Sequence, residues 1–338
     1  MRLLDRYRPA IVEELRSVFD GRTLPPYSLM RYHLGWQDRD GRPIAGRPGK
    51  LLRPSLCLLC CEAVGGDWRT ALPAAAALEL LHNFTLIHDD VEDESAQRHG
   101  RDTLWSLWGQ AQAINAGDGM FALAQVALLR LRGQRQPPAR VLRASQMLAE
   151  ATLRLCEGQQ RDLAAANERE ITPDDYLQTV DGKSAALLAA SAGIGAVLGG
   201  APAKTVAALA AFGRRLGFAF QIRDDVLGIW GDVAETGKSI DDDLRAGKRS
   251  YPVVIALASG APEARAALQQ LLARPERSDA DIARVCSLLD EVGAREESER
   301  AARDHAEAAV ASLAGLSLRP RRAQELGRLA HFAARRRA

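Results

Sequence analysis

The chain has 338 residues, 47% hydrophobic and 26% charged, which suffices for a folded core and matches an ordinary soluble protein. A formal net charge of +2 at pH 7 leaves no global field to attract nucleic acid, so any anion must be held by local clusters. The five cysteines form an odd set without disulfide-framework spacing, which suits a reducing cytoplasm.

Residues 2–19 carry apolar side chains at helical spacing, and Asp5, Arg6, Arg8, Glu13 and Glu14 interrupt the apolar core a signal peptide would need. A stretch punctuated by Gly and Pro follows over 21–50 and reads as loop with a short helix. Residues 51–64 and 73–88 read as two strongly apolar helices. Cys57, Cys60 and Cys61 fall inside the first, with no second pair or histidine partner, and are expected to pack in a core rather than bind zinc. Further helices are predicted over 117–131, 141–163 and 205–230, and Thr172-Pro173-Asp174-Asp175 is a helix start with Thr172 as its cap.

Residues 184–203 run for twenty positions without a charge, long enough for a membrane span. Gly199-Gly200, Pro202 and an Ala/Gly/Ser composition favour a buried, closely packed helix instead, so no transmembrane segment is expected. A polar loop over 231–249 precedes an apolar helix at 251–258 and a helical remainder rich in Ala, Arg and Glu. No alternating run is long enough for a sheet. The expected fold class is all-α, one domain over 1–338 with neither linker nor fixed-period repeat.

The chemistry concentrates where apolar helices end in acid. In LHNFTLIHDDVEDESAQRHGRDTLW (81–105), Asp89, Asp90, Glu92, Asp93 and Glu94 close an apolar helix, and Arg98, His99 and Arg101 follow. Asp89 and Asp93 share a helix face about 6 Å apart along the axis, and oxygen-only ligands suit a hard cation such as Mg2+. By itself this cluster reads equally as a solvated acidic helix end. A second acidic end, Asp224-Asp225 in FQIRDD (220–225), changes the balance. Two such helices facing across a bundle bring several carboxylates to a shared cavity, as metal-binding bundles do.

Cations punctuate the same helices. Lys50 and Arg53 stand at a helix start, where unsatisfied backbone N–H groups favour an anion. His82 lies two turns before Asp89 on its face, Arg98 follows the first cluster, Lys183 opens the uncharged helix, and Lys238 and Lys248 follow the second cluster. Carboxylates for Mg2+ beside cations for phosphate oxygens describe a diphosphate site. Gly237-Lys238-Ser239 has only the tail of a P-loop, without its leading glycine or a preceding strand.

Six motifs stand in a familiar order and spacing: GKLLRP (49–54), DDVED (89–93), GQQRD (158–162), GKS (182–184), FQIRDD (220–225) and GKSIDDDLRAGK (237–248). Through them the chain resembles the trans-isoprenyl diphosphate synthases of the polyprenyl synthetase family over nearly its whole length. The resemblance implies the isoprenoid synthase fold, a helical bundle around a central cavity, and a homodimer. It implies three Mg2+ bridging an allylic diphosphate (dimethylallyl, geranyl or farnesyl), coordinated by Asp89, Asp93 and Asp224 with Asp90 and Asp225 in support. Arg98, Lys183 and Lys238 would hold the same diphosphate, and Lys50, Arg53, His82 and His99 would hold isopentenyl diphosphate. Lys248 joins the substrate-binding set, and Gln221 and Ser184 would lie beside the reacting carbons. The implied chemistry is ionisation of the allylic C–O bond, attack by the isopentenyl double bond, and loss of a proton to the departed diphosphate.

The chain departs from the family pattern at three places. Gly228 replaces the last carboxylate of the second motif, with Asp232 four residues beyond; His99 stands where a second arginine is usual; Ser184 replaces threonine. Phe84, five residues before Asp89, is expected to floor the product tunnel while Thr85 leaves room above it. This pattern resembles geranylgeranyl diphosphate synthases, with a farnesyl product as the close alternative. A terpene cyclase and a non-catalytic partner subunit are the competing readings; Lys50 and Arg53 argue against the first, and an intact DDVED against the second.

Overall fold

A computed structural model describes residues 4–44, 49–165, 171–231, 242–245, 247–274 and 276–336. Helices dominate: α1 Arg8–Val18, α2 Pro25–His33, α3 Leu52–Ala63, α4 Leu72–Glu92, α5 Leu104–Trp108, α6 Gln110–Leu129, α7 Pro138–Ala165, α8 Pro173–Val180, α9 Ala186–Leu198 and α10 Ala203–Trp230. They continue with α11 Asp242–Arg245, α12 Tyr251–Ser259, α13 Pro262–Leu272, α14 Asp279–Glu291, α15 Ala294–Ala311 and α16 Pro320–Arg335. The only strands among the described residues are β1 Gln97–Arg98 and β2 Arg101–Asp102, an antiparallel hairpin. The chain is thus all-α, as its sequence predicts. Two-residue strands are too short to register as alternation.

The helices gather into two compact units, each discontinuous in sequence. One comprises Met1–Glu150, Ala190–Ala210 and Leu316–Ala323; the other comprises Ala151–Ala189, Ala211–Gly315 and Gln324–Ala338.

In the first unit α4 is the central helix, and it packs most extensively on α6. A 3-10 turn, Trp68–Ala71, leads into it, capped by Asp67, whose side chain accepts from the Arg69 N–H at 3.0 Å, and α4 itself opens with a proline in its first turn. Ala74, Ala75, Ala76 and Ala77 are fully buried with Leu78, Leu80 and Leu81. Small side chains on that stretch let neighbours approach closely. Gly117 of α6 faces α4 where a Cβ would lie 2.2 Å from His88 Nε2. Gly195 of α9 lies against α3, where a Cβ would lie 2.1 Å from the Cys57 carbonyl oxygen. The uncharged stretch after Lys183 is therefore a packed core helix, and at 13 residues α9 is short of a membrane span. The segment Trp68–Glu92 is long and apolar enough to cross a membrane, but 67% of its apolar window is buried within the protein, the pattern of a core helix. Cys57, Cys60 and Cys61 are buried in α3, whereas Cys156 on α7 is exposed.

In the second unit α8 starts at the expected cap Thr172, and Asp175 returns the hydrogen bond to complete a capping box. Between α8 and α9 the backbone makes one π-helical turn, Asp181–Ala185. A second apolar core forms from Ile229, Val253, Leu268, Ile282, Val285, Leu288 and Leu289.

Candidate active site

In the first unit the acidic cluster occupies the last turn of α4. Asp89 and Asp90 lie inside the helix, Asp93 caps it, and the Asp93 N–H donates to the Asp89 carbonyl at 2.8 Å. The last turn carries no basic residue. Carboxylates at the negative end of a helix dipole are mildly unfavourable, and a nearby cation offsets this. Asp89 is half-buried and Asp93 exposed, one turn apart on the same face.

Asp90 points elsewhere. It is 2% exposed, and one oxygen accepts from Arg98 Nε at 2.7 Å. Burial raises its pKa, and the Arg98 charge opposes that. Arg98 reaches this position because β1 and β2 turn through His99 (φ 52) and Gly100 (φ 72), both left-handed. That is the requirement of a two-residue type I′ hairpin. Histidine tolerates left-handed backbone better than most side chains, a physical reason for His99 in a position where the family pattern has arginine.

Cationic groups converge around His82. Burial, then Arg53, Arg98 and His33, hold its pKa well below the ordinary imidazole range, so the ring is neutral at pH 7. His33 of α2 is pushed down to about 3 by burial and by Arg98, with Arg101 and His99 adding to it. Lys50 is exposed and Arg53 half-buried in the first turn of α3. Leu51 between them adopts φ 49 and ψ 36, left-handed backbone costly for a leucine. Lower on α4, Phe84 packs against His88 at 4.8 Å and against Phe121 of α6 at 5.5 Å between ring centroids. Thr85 donates its hydroxyl to the His82 carbonyl at 2.8 Å, leaving no polar donor for a hydrocarbon neighbour.

In the second unit a chain of hydrogen bonds assembles three of the expected residues. Ser184 Oγ donates to Gln221 Oε1 at 2.8 Å, and Gln221 Nε2 donates to Asp225 Oδ1 at 3.0 Å. Asp225 is 3% exposed. Its other oxygen accepts from Tyr176 Oη at 2.6 Å and from the Tyr251 N–H at 2.8 Å. Burial raises its pKa, while Lys248 and these donors oppose the rise. Lys183, in the π-helical turn, donates to Asp162 at 2.6 Å. Asp224 is half exposed and accepts from Arg336 Nη2 at 2.6 Å. Lys248 is exposed. Lys238 and Asp232 lie outside the described residues.

The two doubled aspartates therefore divide alike. The first member, Asp89 or Asp224, is partly exposed, whereas the second, Asp90 or Asp225, is buried; Arg98 engages one Asp90 oxygen, and protein donors engage both Asp225 oxygens. Of the five expected metal carboxylates, Asp225 has both oxygens met by protein donors and Asp90 has one. Among the described residues no three His, Cys, Asp or Glu side chains form a cage. The donors fit magnesium none the less, since it takes one or two carboxylates and completes its shell with water and substrate phosphates.

Several residues escaped the sequence reading. Asp162 stood in a quoted motif without a role. His33, Tyr176 and Phe121 carry no motif signal and emerge only from packing, and Arg336, which reads in the sequence as one of several carboxy-terminal arginines on a solvated helix face, is buried instead.

Comparison with known proteins accords with this chemistry. Residues 40–289 match the family described as "Polyprenyl synthetase". The chain is 40% identical over 327 residues to a (2E,6E)-farnesyl diphosphate synthase of Mycobacterium tuberculosis, covering 95% of this chain and 89% of that one. It is also 40% identical over 312 residues to a geranylgeranyl diphosphate synthase of the same organism, covering 92% and 88%. The crystal structure of a polyprenyl synthetase from Streptomyces coelicolor A3(2) superposes with a TM-score of 0.92 at 37% identity, covering 98% of each chain. A geranylgeranyl pyrophosphate synthetase from Pyrococcus horikoshii superposes at 0.87 with 30% identity, covering 99% of this chain and 98% of that one. With a family match over most of its length and relatives that span nearly all of it, the chain belongs to the polyprenyl synthetase family and is a short-chain trans-prenyltransferase.

Proposed function

We propose that the chain condenses isopentenyl diphosphate with an allylic diphosphate (dimethylallyl, geranyl or farnesyl) in a Mg2+-dependent, head-to-tail reaction, with geranylgeranyl diphosphate as main product. The observation that carries this reading is the layout of α4: Asp89 and Asp93 at its end, Phe84 just over one turn before Asp89, and His82 among cations two turns before it.

Asp89, Asp93 and Asp224 are the residues proposed to coordinate magnesium, expected as three ions. Bound magnesium supplies charge neutralisation to the departing diphosphate. Arg98, Lys183 and Lys238 hold the same diphosphate, and the ion pairs Arg98–Asp90 and Lys183–Asp162 keep the first two in place. Asp90 and Asp225 act by positioning rather than by direct coordination. Lys50, Arg53 and His99 receive isopentenyl diphosphate, with His82 as a neutral hydrogen-bonding group beside them. Lys248 belongs to the same substrate-binding set. Gln221 and Ser184, tied to Asp225, hold their polar groups beside the reacting carbons. No general base stands among these residues, so the proton leaves with the diphosphate product.

A farnesyl product is the second reading, and the relatives named above include both products. Phe84 backed by Phe121 supports a floor one turn below Asp89, and Thr85 with its hydroxyl engaged supports an apolar wall. The unbroken family match over 40–289 supports one functional domain over 1–338. Exposed Ile114, Val126 and Leu129 on α6 support a homodimer, and five free cysteines suit a reducing cytoplasm.

The test is an assay of purified protein with Mg2+, labelled isopentenyl diphosphate and each allylic starter. A lengthened diphosphate is expected, abolished by EDTA. No product with any starter sinks the proposal.

A further inference from the structure

Arg336 follows α16 and is 4% exposed. Its guanidinium lies over the Phe220 ring, 4.0 Å from the centroid, and Nη2 donates to the Phe220 carbonyl at 3.3 Å. The same Nη2 lies 2.6 Å from Asp224 Oδ1. The Arg336 carbonyl in turn accepts from Arg223 Nε at 2.8 Å, and Arg223 Nη1 pairs with Glu299 at 3.0 Å. Phe220 and Arg223, both just ahead of Asp224 on α10, thus hold the side chain and backbone of Arg336, and Nη2 is placed before it meets the carboxylate. Removing a cation this deeply from water is unfavourable without a compensating partner. The arginine is a built feature of the α10 surface.

We propose that Arg336 is a positioning residue for the metal ligand Asp224, gripping one carboxylate oxygen so that the other is aimed at the cation. This rests on the assignment of Asp224 as a magnesium ligand made above. A carboxylate that ligates Mg2+ through one oxygen is oriented by a hydrogen bond to the other, and such outer partners tune affinity. The need is sharper here than in a motif with three carboxylates. Gly228 replaces the last one and Asp225 is buried under Tyr176, Gln221 and Tyr251. Asp224 is left as the exposed carboxylate of the FQIRDDVLG stretch. A single guanidinium nitrogen, Nη2, held by Phe220, fixes its orientation.

The test is Mn2+ binding, followed by electron paramagnetic resonance on the full chain in the presence of inorganic pyrophosphate. Wild type is expected to bind Mn2+ saturably. Arg336→Gln should weaken that affinity about 10- to 100-fold, the usual effect of losing an outer-shell partner, and Arg336→Lys should recover part of the loss. Isopentenyl diphosphate KM should stay within about twofold in both. Mn2+ binding by Arg336→Gln as tight as wild type, or tighter, overturns the proposal. Thermal unfolding in EDTA checks the fold of each variant. If Arg336→Gln does not fold, Arg336→Lys carries the test, because it keeps the charge but not the planar fork; binding indistinguishable from wild type then overturns the proposal. An absence of Mn2+ binding in wild type overturns the magnesium assignment together with this one, whereas unchanged binding in the variants overturns only the role of Arg336.

Discussion

Asp89 and Asp90 are neighbours with opposite exposures, and the same split recurs at Asp224 and Asp225. The paired letters were legible in the sequence as an acidic cluster, but the division within each pair was not. It depends on which way a helix face turns, and that is decided by Arg98 from a hairpin and Tyr176 from a different helix. The cations at 50, 53, 98 and 183 were legible for the same reason as the acids: charged residues at apolar helix ends demand an explanation. His33 was not, because a histidine in a Gly/Pro-rich stretch carries no pattern. Its burial has a consequence for pH. The native pKa of about 3 lies below the ordinary value of 6.5, so the unfolded state binds more protons between those limits. The contribution of this residue to stability is complete above the unfolded pKa and is lost as pH falls through that window. Urea unfolding at pH 6.5 and 5 should therefore show a wild-type decline that His33→Gln reduces by up to ~1.4 kcal/mol per pH unit. Identical declines would show that His33 titrates normally. Phe84 is the second residue to test. Phe84→Ala should shift products towards longer chains, read by chromatography of the dephosphorylated prenols, with a further shift in the double variant with Phe121→Ala. An unaltered distribution places the floor elsewhere.

At the scale of elements, apolar periodicity located nearly every long helix, and errors fell at ends and short pieces. Helix α4 runs past 88 to Glu92, so the acidic motif lies in its last turn, in keeping with the shared helix face expected for Asp89 and Asp93. Helix α5 and the hairpin are too short for any period to show. The π-helical turn at Asp181–Ala185 was also invisible, because the sequence DGKSA reads as a plain helix start. Its cause is a close approach. A Cβ on Gly158 would lie 2.2 Å from the Lys183 nitrogen and 2.6 Å from the Gly182 carbonyl carbon. Asp181, at the mouth of the turn, is gripped by Arg154 and Arg214. Single π-turns recur at functional sites, and here one presents Lys183 and Ser184. Gly158→Ala should force the turn away from α7, with an overpacking cost of about 1–3 kcal/mol. We expect a lower melting temperature and a fall in kcat, with isopentenyl diphosphate KM little changed. Wild-type kinetics and stability would show that the turn does not depend on that contact.

For the whole molecule, the sequence indicated helical class and family, since six spaced motifs constrain far more than composition does. The gathering of helices into two discontinuous units was not legible, because long helices such as α7 and α10 run without a break in pattern across the division. Association is legible only in part. On α6, Ile114, Val126 and Leu129 are 45%, 42% and 55% exposed, and scattered apolar residues on a surface are normal. Lined along one helix, they gain meaning as a patch. Val126→Glu with Leu129→Glu should halve the mass seen by sedimentation, if this face joins two copies. A dimer that survives both charges would assign the contact elsewhere.

The distribution of sulfur offers a practical handle. Burial drives the Cys61 thiol up to about 12 and those of Cys57 and Cys60 higher still, so the trio in α3 is chemically silent while the fold holds. Cys156 is exposed, two residues before the glycine that seats the π-helical turn. A maleimide dye should therefore attach at Cys156 first under native conditions, and peptide mapping after brief labelling would check it. A single fluorophore beside that turn would report movement at Lys183 as diphosphate arrives, without a cysteine having to be engineered.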